Sequence, residues 1–414
     1  MGVYSMGVYS NDLQQVQEKV DSCHVPSELG RIPSKIAKMF AGFTAEQWKN
    51  WVTVFSLFAL FQHLPEREYR CWAHFVNACN LLCTTLIKIP DVGIAHDHLI
   101  QFCKEFEKIY GKDRVTPNMH LHMHLADCVL DYGPVYSFWL FSFERYNGIL
   151  GKYHTNNKSV ELQMMRKFTR DQDLDDLEFP REYSDQLQPL ISKVRGSTKT
   201  QAPSIDCKKI LSLLKLSEGN IDIANELWYS VDCFSFGPPH VIGCLDDDDL
   251  RYLTEVYRLF FPDALDITIP RLYDQYASLE CAGERFGSRF SRLNRCSFVL
   301  AKWAGPFDGE VDMQSTDIRP GVVMHFVKQS VSVDGKRYVF SFARVDWYHR
   351  HPDRFLCGPE DPFPEVWCAN QFDTLGAASF MPVQRILGKF VPGYDRVNDE
   401  NVMFVMPLAE KFKM

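Results

Sequence analysis

The stretch MHLHMHLADCVLDYGPVYSFWLFSFERYNGILGKYHTNN, residues 119–157, decides how the first half of this chain is read. Its opening heptad alternates polar and apolar residues, as a half-buried strand does. Thr116 and Pro117, just before it, are a helix-capping residue and a first-turn proline, and Leu125 and Val129 keep helical spacing. We therefore read a helix running to Gly133 and Pro134, which end it. Another helix is predicted from Val135, with Trp139, Phe143, Tyr146 and Leu150 along one inward face.

Upstream the chain also reads as helical. Thr44 and Gln47 form a capping-box pattern before WKNWVTVFSLFALF, a run apolar nearly all round and therefore buried. Pro65 suits the first turn of a second helix, which Pro90 should stop. A third is expected over 95–110, with Leu99, Phe102 and Phe106 inward. Downstream, residues 171–287 read as a polar linker with short helices at 206–216 and 248–261. The acidic run Asp246 to Asp249 starts the second of these, where the helix dipole favours carboxylates. From Ser288 the period changes to that of strands, and Asp334 with Gly335 marks a tight hairpin turn.

The expected fold class is α+β. An all-α half is followed by a small antiparallel β domain, a barrel or SH3-like sheet. The expected divisions are a leader (1–30), the helical region (31–170), the linker with short helices (171–287) and the β domain (288–414). The chain opens with the repeat MGVYSMGVYS, which carries no structural meaning and suggests a reading frame continuing upstream.

The chain has 414 residues, 46% of them hydrophobic, and a formal net charge of -8. That balance excludes a chain that is basic throughout, so any contact with nucleic acid must be local. One basic stretch exists: between Ser142 and Arg170, six Lys or Arg (Arg145, Lys152, Lys158, Arg166, Lys167 and Arg170) stand against two Glu. These residues suit DNA phosphates, and a solvated helix face explains them equally. The longest apolar stretch, Val52 to Phe61, is too short for a membrane span, and no secretory signal opens the chain. Thirteen cysteines, an odd count in a long chain, fit reduced intracellular thiols.

Three sets of residues could carry chemistry. On a continuous helix His120, His124, Asp127 and Asp131 share one face and suit a divalent metal, or a polar face meeting solvent. Glu144 beside an aromatic helix face must be paired, hold a cation or titrate. His349, His351, Cys357 and Cys368 are zinc-type ligands at the spacing of no standard finger.

M-H-x-x-x-H-L at 119–125, G-P-V at 133–135, W-L-F-x-F-E-R-Y at 139–146 and the basic ending at Asn156 resemble the C-terminal part of CACTA (En/Spm-like) DNA transposon transposases. GRIPSKIAKMFAGFTAEQWKNW (30–51), RVDWYHRHP and SFMPVQRI extend the likeness over most of the chain. The resemblance implies an RNase H-like enzyme in which three carboxylates hold two Mg2+ ions for strand cleavage and joining. It makes Glu144 the third carboxylate, on a helix after a helical insertion. It places the first two acids on strands upstream of the GRIPSKI segment, where Asp12 and Asp21 are poor substitutes. The expectation is a nuclear, DNA-associated remnant with possible self-association. It should use no small-molecule cofactor and, acting alone, perform no strand transfer. Two alternatives stay open: a protein- or chromatin-interaction module without enzymatic activity, and a Mg2+-dependent nuclease completed by a partner chain or upstream sequence.

Overall fold

A computed structural model describes residues 10–36, 42–84, 87–151, 156, 158–175, 234–281, 284–305, 310–312, 317–356 and 363–408. The chain divides into two compact units. One joins residues 1–137 to 207–414; the other is 138–206. The class is α+β, with helices in the N-terminal half and an antiparallel sheet in the C-terminal half.

In the larger unit the helices are α1 (Ser10–Asp21), α2 (Ala45–Asn50), α3 (Ser56–Leu60), α4 (Glu66–Leu82), α5 (Ile89–Tyr110), α6 (Pro117–His122) and α7 (Leu125–Tyr132). The expected capping box opens α2: Gln47 N donates to Thr44 Oγ1 and Thr44 N donates to Gln47 Oε1. A π-turn over Trp51–Phe55 joins α2 to α3, and its Trp51, Val54 and Phe55 are buried as the apolar run required. Pro90 differs from expectation. It lies in the first turn of α5, where its missing N–H costs nothing, so it starts a helix instead of stopping one.

The strands are β1 (Phe234–Cys244), β2 (Ile267–Thr268), β3 (Leu272–Cys281), β4 (Glu284–Gly287), β5 (Phe298–Ala301), β6 (Arg319–Val333), β7 (Lys336–Trp347), β8 (Val366–Cys368), β9 (Phe380–Pro382), β10 (Ile386–Val397) and β11 (Glu400–Pro407). The main path runs β1-β3-β6-β5-β10-β11-β8, and β7 pairs with β6 and β9. Its two ends do not pair, so the expected barrel is not formed among the described residues; the sheet is open. Asp334 and Gly335 turn the β6–β7 hairpin with positive φ at both positions, as the sequence indicates. Helix α11 (Asp247–Phe260) packs Leu253, Val256, Tyr257 and Phe260 on Phe340 and Phe342.

Two expected divisions change. Residues 234–287 supply β1 to β4 besides α11, where a linker with short helices was expected; the helix expected at 206–216 lies outside the described residues. Within the leader, α1 buries Leu13, Val16 and Val20 in the same core as Phe55, Phe58, Val391, Val402 and Phe404. Helices and strands thus share one core instead of forming separate domains. Asp12 and Asp21 belong to that packed helix, and Asp21 accepts from Gln17 Nε2 at 2.7 Å. Glu28, also in the leader, pairs with the buried Lys389, whose Nζ lies 3.1 Å from Glu284 and donates to Arg285 O at 2.8 Å.

In the smaller unit, α9 (Phe141–Leu150) and α10 (Val160–Asp175) are the principal helices; the single turn α8 (Val135–Phe138) leads into it. No helix among the described residues is long and apolar enough to cross a membrane. Nine of the described cysteines, Cys71 among them, are free thiols, and burial pushes the Cys71 pKa up to about 12.

Candidate functional site

Helix geometry separates the first metal-type set. The expected single helix over 117–132 breaks at Met123 and His124 into α6 and α7. His120 Nε2 and His124 Nε2 approach to 3.4 Å, and His124 Nδ1 is 3.9 Å from Asp127 Oδ2. Asp127 and Asp131 follow the break, so their helical phase is no longer that of His120. Among the described residues no group of three or more His, Cys, Asp or Glu is placed to hold a metal ion.

Glu144 lies in the first turn of α9 with its side chain exposed, and its peptide N donates to Leu140 O at 2.9 Å. The expectation that it must be paired or bind a cation assumed a buried flank. Instead the expected continuous helix is interrupted at Trp139 and Leu140, and Phe143 and Tyr146 are exposed. A solvated carboxylate there needs no partner.

The basic stretch falls on and beside α10. Lys158, Arg166 and Arg170 are exposed and Lys167 is half-buried. Arg166 and Arg170, four residues apart, lie on one helical face. The turn before α10 is tied by Asn156: its N donates to Gln163 Oε1 at 3.2 Å, and its Oδ1 accepts from Lys158 N at 3.0 Å. Arg145 lies in α9, its side chain outside the described set; Lys152 is outside the described residues.

The zinc-type set is brought partly together. His349, His351 and Cys368 line one polar cavity of about 490 Å3 with Glu400, Gln371 and Asn401; Cys357 lies outside the described residues. His351 has both nitrogens engaged: Nδ1 accepts from Asp353 N at 3.1 Å and Nε2 meets Glu400 Oε2 at 3.0 Å. It has no lone pair left for a metal. His349 is oriented by Asp373, 2.8 Å from its Nδ1. Burial, then Glu400 and Asp373, push the Cys368 thiol up, which keeps it protonated and a poor ligand.

The Asp246 to Asp249 run is a helix start. Asp246 Oδ1 accepts from Asp249 N at 2.7 Å, and Arg271 and Arg251 pair with Asp247 and Asp248.

One residue passed over in sequence stands out. His122, between the two histidines singled out above, lines an aromatic cavity of about 480 Å3 with Trp48, Trp72, Phe75 and Phe102. Its Nδ1 is buried with no hydrogen-bond partner, and burial lowers its pKa. In the alternating heptad nothing distinguishes it from its neighbours; only packing selects it.

Comparison with protein-family models, with curated proteins and with solved structures finds no match to this chain.

Proposed function

We propose that this chain is a transposase-derived, DNA-associated protein acting in the nucleus, and that its 138–206 unit meets the DNA backbone. In this reading the helical half corresponds to the helical insertion and end of an RNase H-like core, and Glu144 is a former catalytic carboxylate. The observation that carries it is the pair Arg166 and Arg170, exposed on one face of α10 with Lys158 and Lys167 nearby, in a chain of net charge -8; the same helix also holds Glu161, Asp171, Asp173 and Asp175. Exposed arginines attract phosphate at close range even where the surrounding chain is acidic. Strand transfer by this chain alone is not part of the proposal, because one carboxylate cannot hold a pair of Mg2+ ions.

The test is binding of labelled duplex DNA over a range of KCl. Affinity should fall linearly on a log–log plot. Absence of binding at low salt would sink the proposal and leave a protein-interaction module. Magnesium-dependent nicking by the wild-type chain, abolished in Glu144→Gln, would replace it with a nuclease completed elsewhere.

A further inference from the structure

The aromatic cavity in the larger unit is built by four separate stretches of chain. Trp48 comes from α2, Trp72 and Phe75 from α4, and Phe102 from α5; α6 closes it with Asn118 and His122. The walls are continuous: Trp72 and Phe75 rings lie 5.4 Å apart, Phe75 and Phe102 5.0 Å, and Phe75 and His122 5.8 Å. At about 480 Å3 the space falls in the range of small-molecule pockets, which are mostly apolar with a few placed polar groups. Among the described residues no Asp, Glu, Lys or Arg lines it, so it suits an uncharged occupant.

A purely hydrocarbon occupant leaves one feature unexplained. His122 Nδ1 is buried and unpartnered, and an orphaned buried nitrogen costs about 1–3 kcal/mol. An occupant with a polar ring atom removes that cost, and Asn118 at the exposed rim offers an amide to the outer edge of the same ring. Flat rings stack on such walls whatever their substituents. Arg114, exposed two residues before Thr116 of the rim, adds a cation near the chain entry to α6.

We propose that this cavity binds one flat, uncharged heteroaromatic ring of the nucleobase type. The ring stacks against the Trp72–Phe75 wall and exchanges a hydrogen bond with His122 Nδ1. The occupant's chemistry stands on the cavity; its source in an unpaired base of a strand rests on the DNA-associated reading above.

The cavity tryptophans make intrinsic fluorescence the readout. The full chain is titrated with adenosine, thymidine and a short single-stranded oligothymidylate, beside naphthalene as an apolar control. Saturable quenching by nucleosides is expected. Tighter binding of the oligonucleotide would assign the source to a strand, and equal binding to free ligand. Asn118→Phe, at an exposed position, should block the mouth, while His122→Leu should weaken binding about tenfold, the equivalent of one hydrogen bond of about 1.4 kcal/mol. Thermal midpoints near that of the wild type are expected for both variants and check that they fold. Absence of quenching in the wild type, equal quenching in both variants, or naphthalene binding as tightly as nucleosides would overturn the proposal. A variant with Arg166, Lys167 and Arg170 all changed to Ala should keep nucleoside quenching. Failure of duplex binding and failure of the cavity site are thereby read separately.

Discussion

Arg319 is 1% exposed, and its guanidinium is held by the Asp373 carboxylate and by the carbonyls of Gly305 at 2.7 Å and Tyr348 at 3.0 Å. Trp347 and Trp367 rings lie within 6 Å. Removing one partner of such a pair strands the other charge. Arg319→Met should therefore cost about 3–5 kcal/mol in urea unfolding; a loss under 1 kcal/mol would show that water solvates Asp373 readily. His325 on β6 gives a pH signature. Burial, and then nearby Arg344, lower its pKa to about 4. In the unfolded chain it takes up its proton near pH 6.5, while in the folded chain it resists until near pH 4. Its contribution is therefore full above about pH 6.5 and declines as pH falls to about 4, by up to about 3 kcal/mol. His63, His98 and His122 are shifted the same way. Stability profiles of the wild type and His325→Phe, measured from pH 7 to 4 by chemical unfolding, should diverge: the variant's should fall less steeply. Parallel profiles would remove His325 from the acid response.

Among the elements, α10 carries the electrostatic prediction. Each phosphate contact contributes about 0.9 to the slope of log affinity against log salt for duplex DNA. Changing Arg166, Lys167 and Arg170 together to Ala should lower that slope by about 2 to 3. An unchanged slope would move the contact off this helix. The helix is not among those expected from the sequence, which places a linker from residue 171, inside α10. The break between α6 and α7 is not legible there either. His124 takes φ -96 and ψ 2, a local departure the heptad does not signal. Strand β1 was hidden for another reason: FSFGPPHVIGC carries two prolines, which normally argue against a strand. Here they fall at an irregularity between Gly237 and His240, and among the described strands β1 pairs with β3 alone, so the missing N–H groups interrupt no central ladder there.

For the larger unit taken whole, the contact between helices and sheet at β10 is the sharpest test. A Cβ added at Gly393 would meet Phe58 Cδ2 and Met406 Cε at 2.9 Å each. Phe58 and Phe61 in turn lie 5.3 Å and 5.1 Å from Phe404 between ring centres. Gly393→Ala should cost about 1–3 kcal/mol, with the helical and sheet signals still lost in one transition. Two separated transitions would mean that the helices and strands do not fold as one unit. Lys19 adds a tie to the same strand, its Nζ 2.6 Å from Asp395 Oδ2.

The sequence by itself determined the α+β class, the capping box at Thr44, the buried run after it and the turn at Asp334 and Gly335. Each depends on neighbours a few residues apart, through hydrogen-bond reach, side-chain periodicity or permitted φ. Only the tertiary structure decided that α1 and β10–β11 share a core and that the sheet stays open. It alone left Glu144 exposed and set His122, rather than His120 or His124, in an aromatic cavity. Those outcomes depend on surfaces tens to hundreds of residues apart. Burial, which selects one histidine of an alternating three, is a property of what packs over the chain and not of the chain's own period.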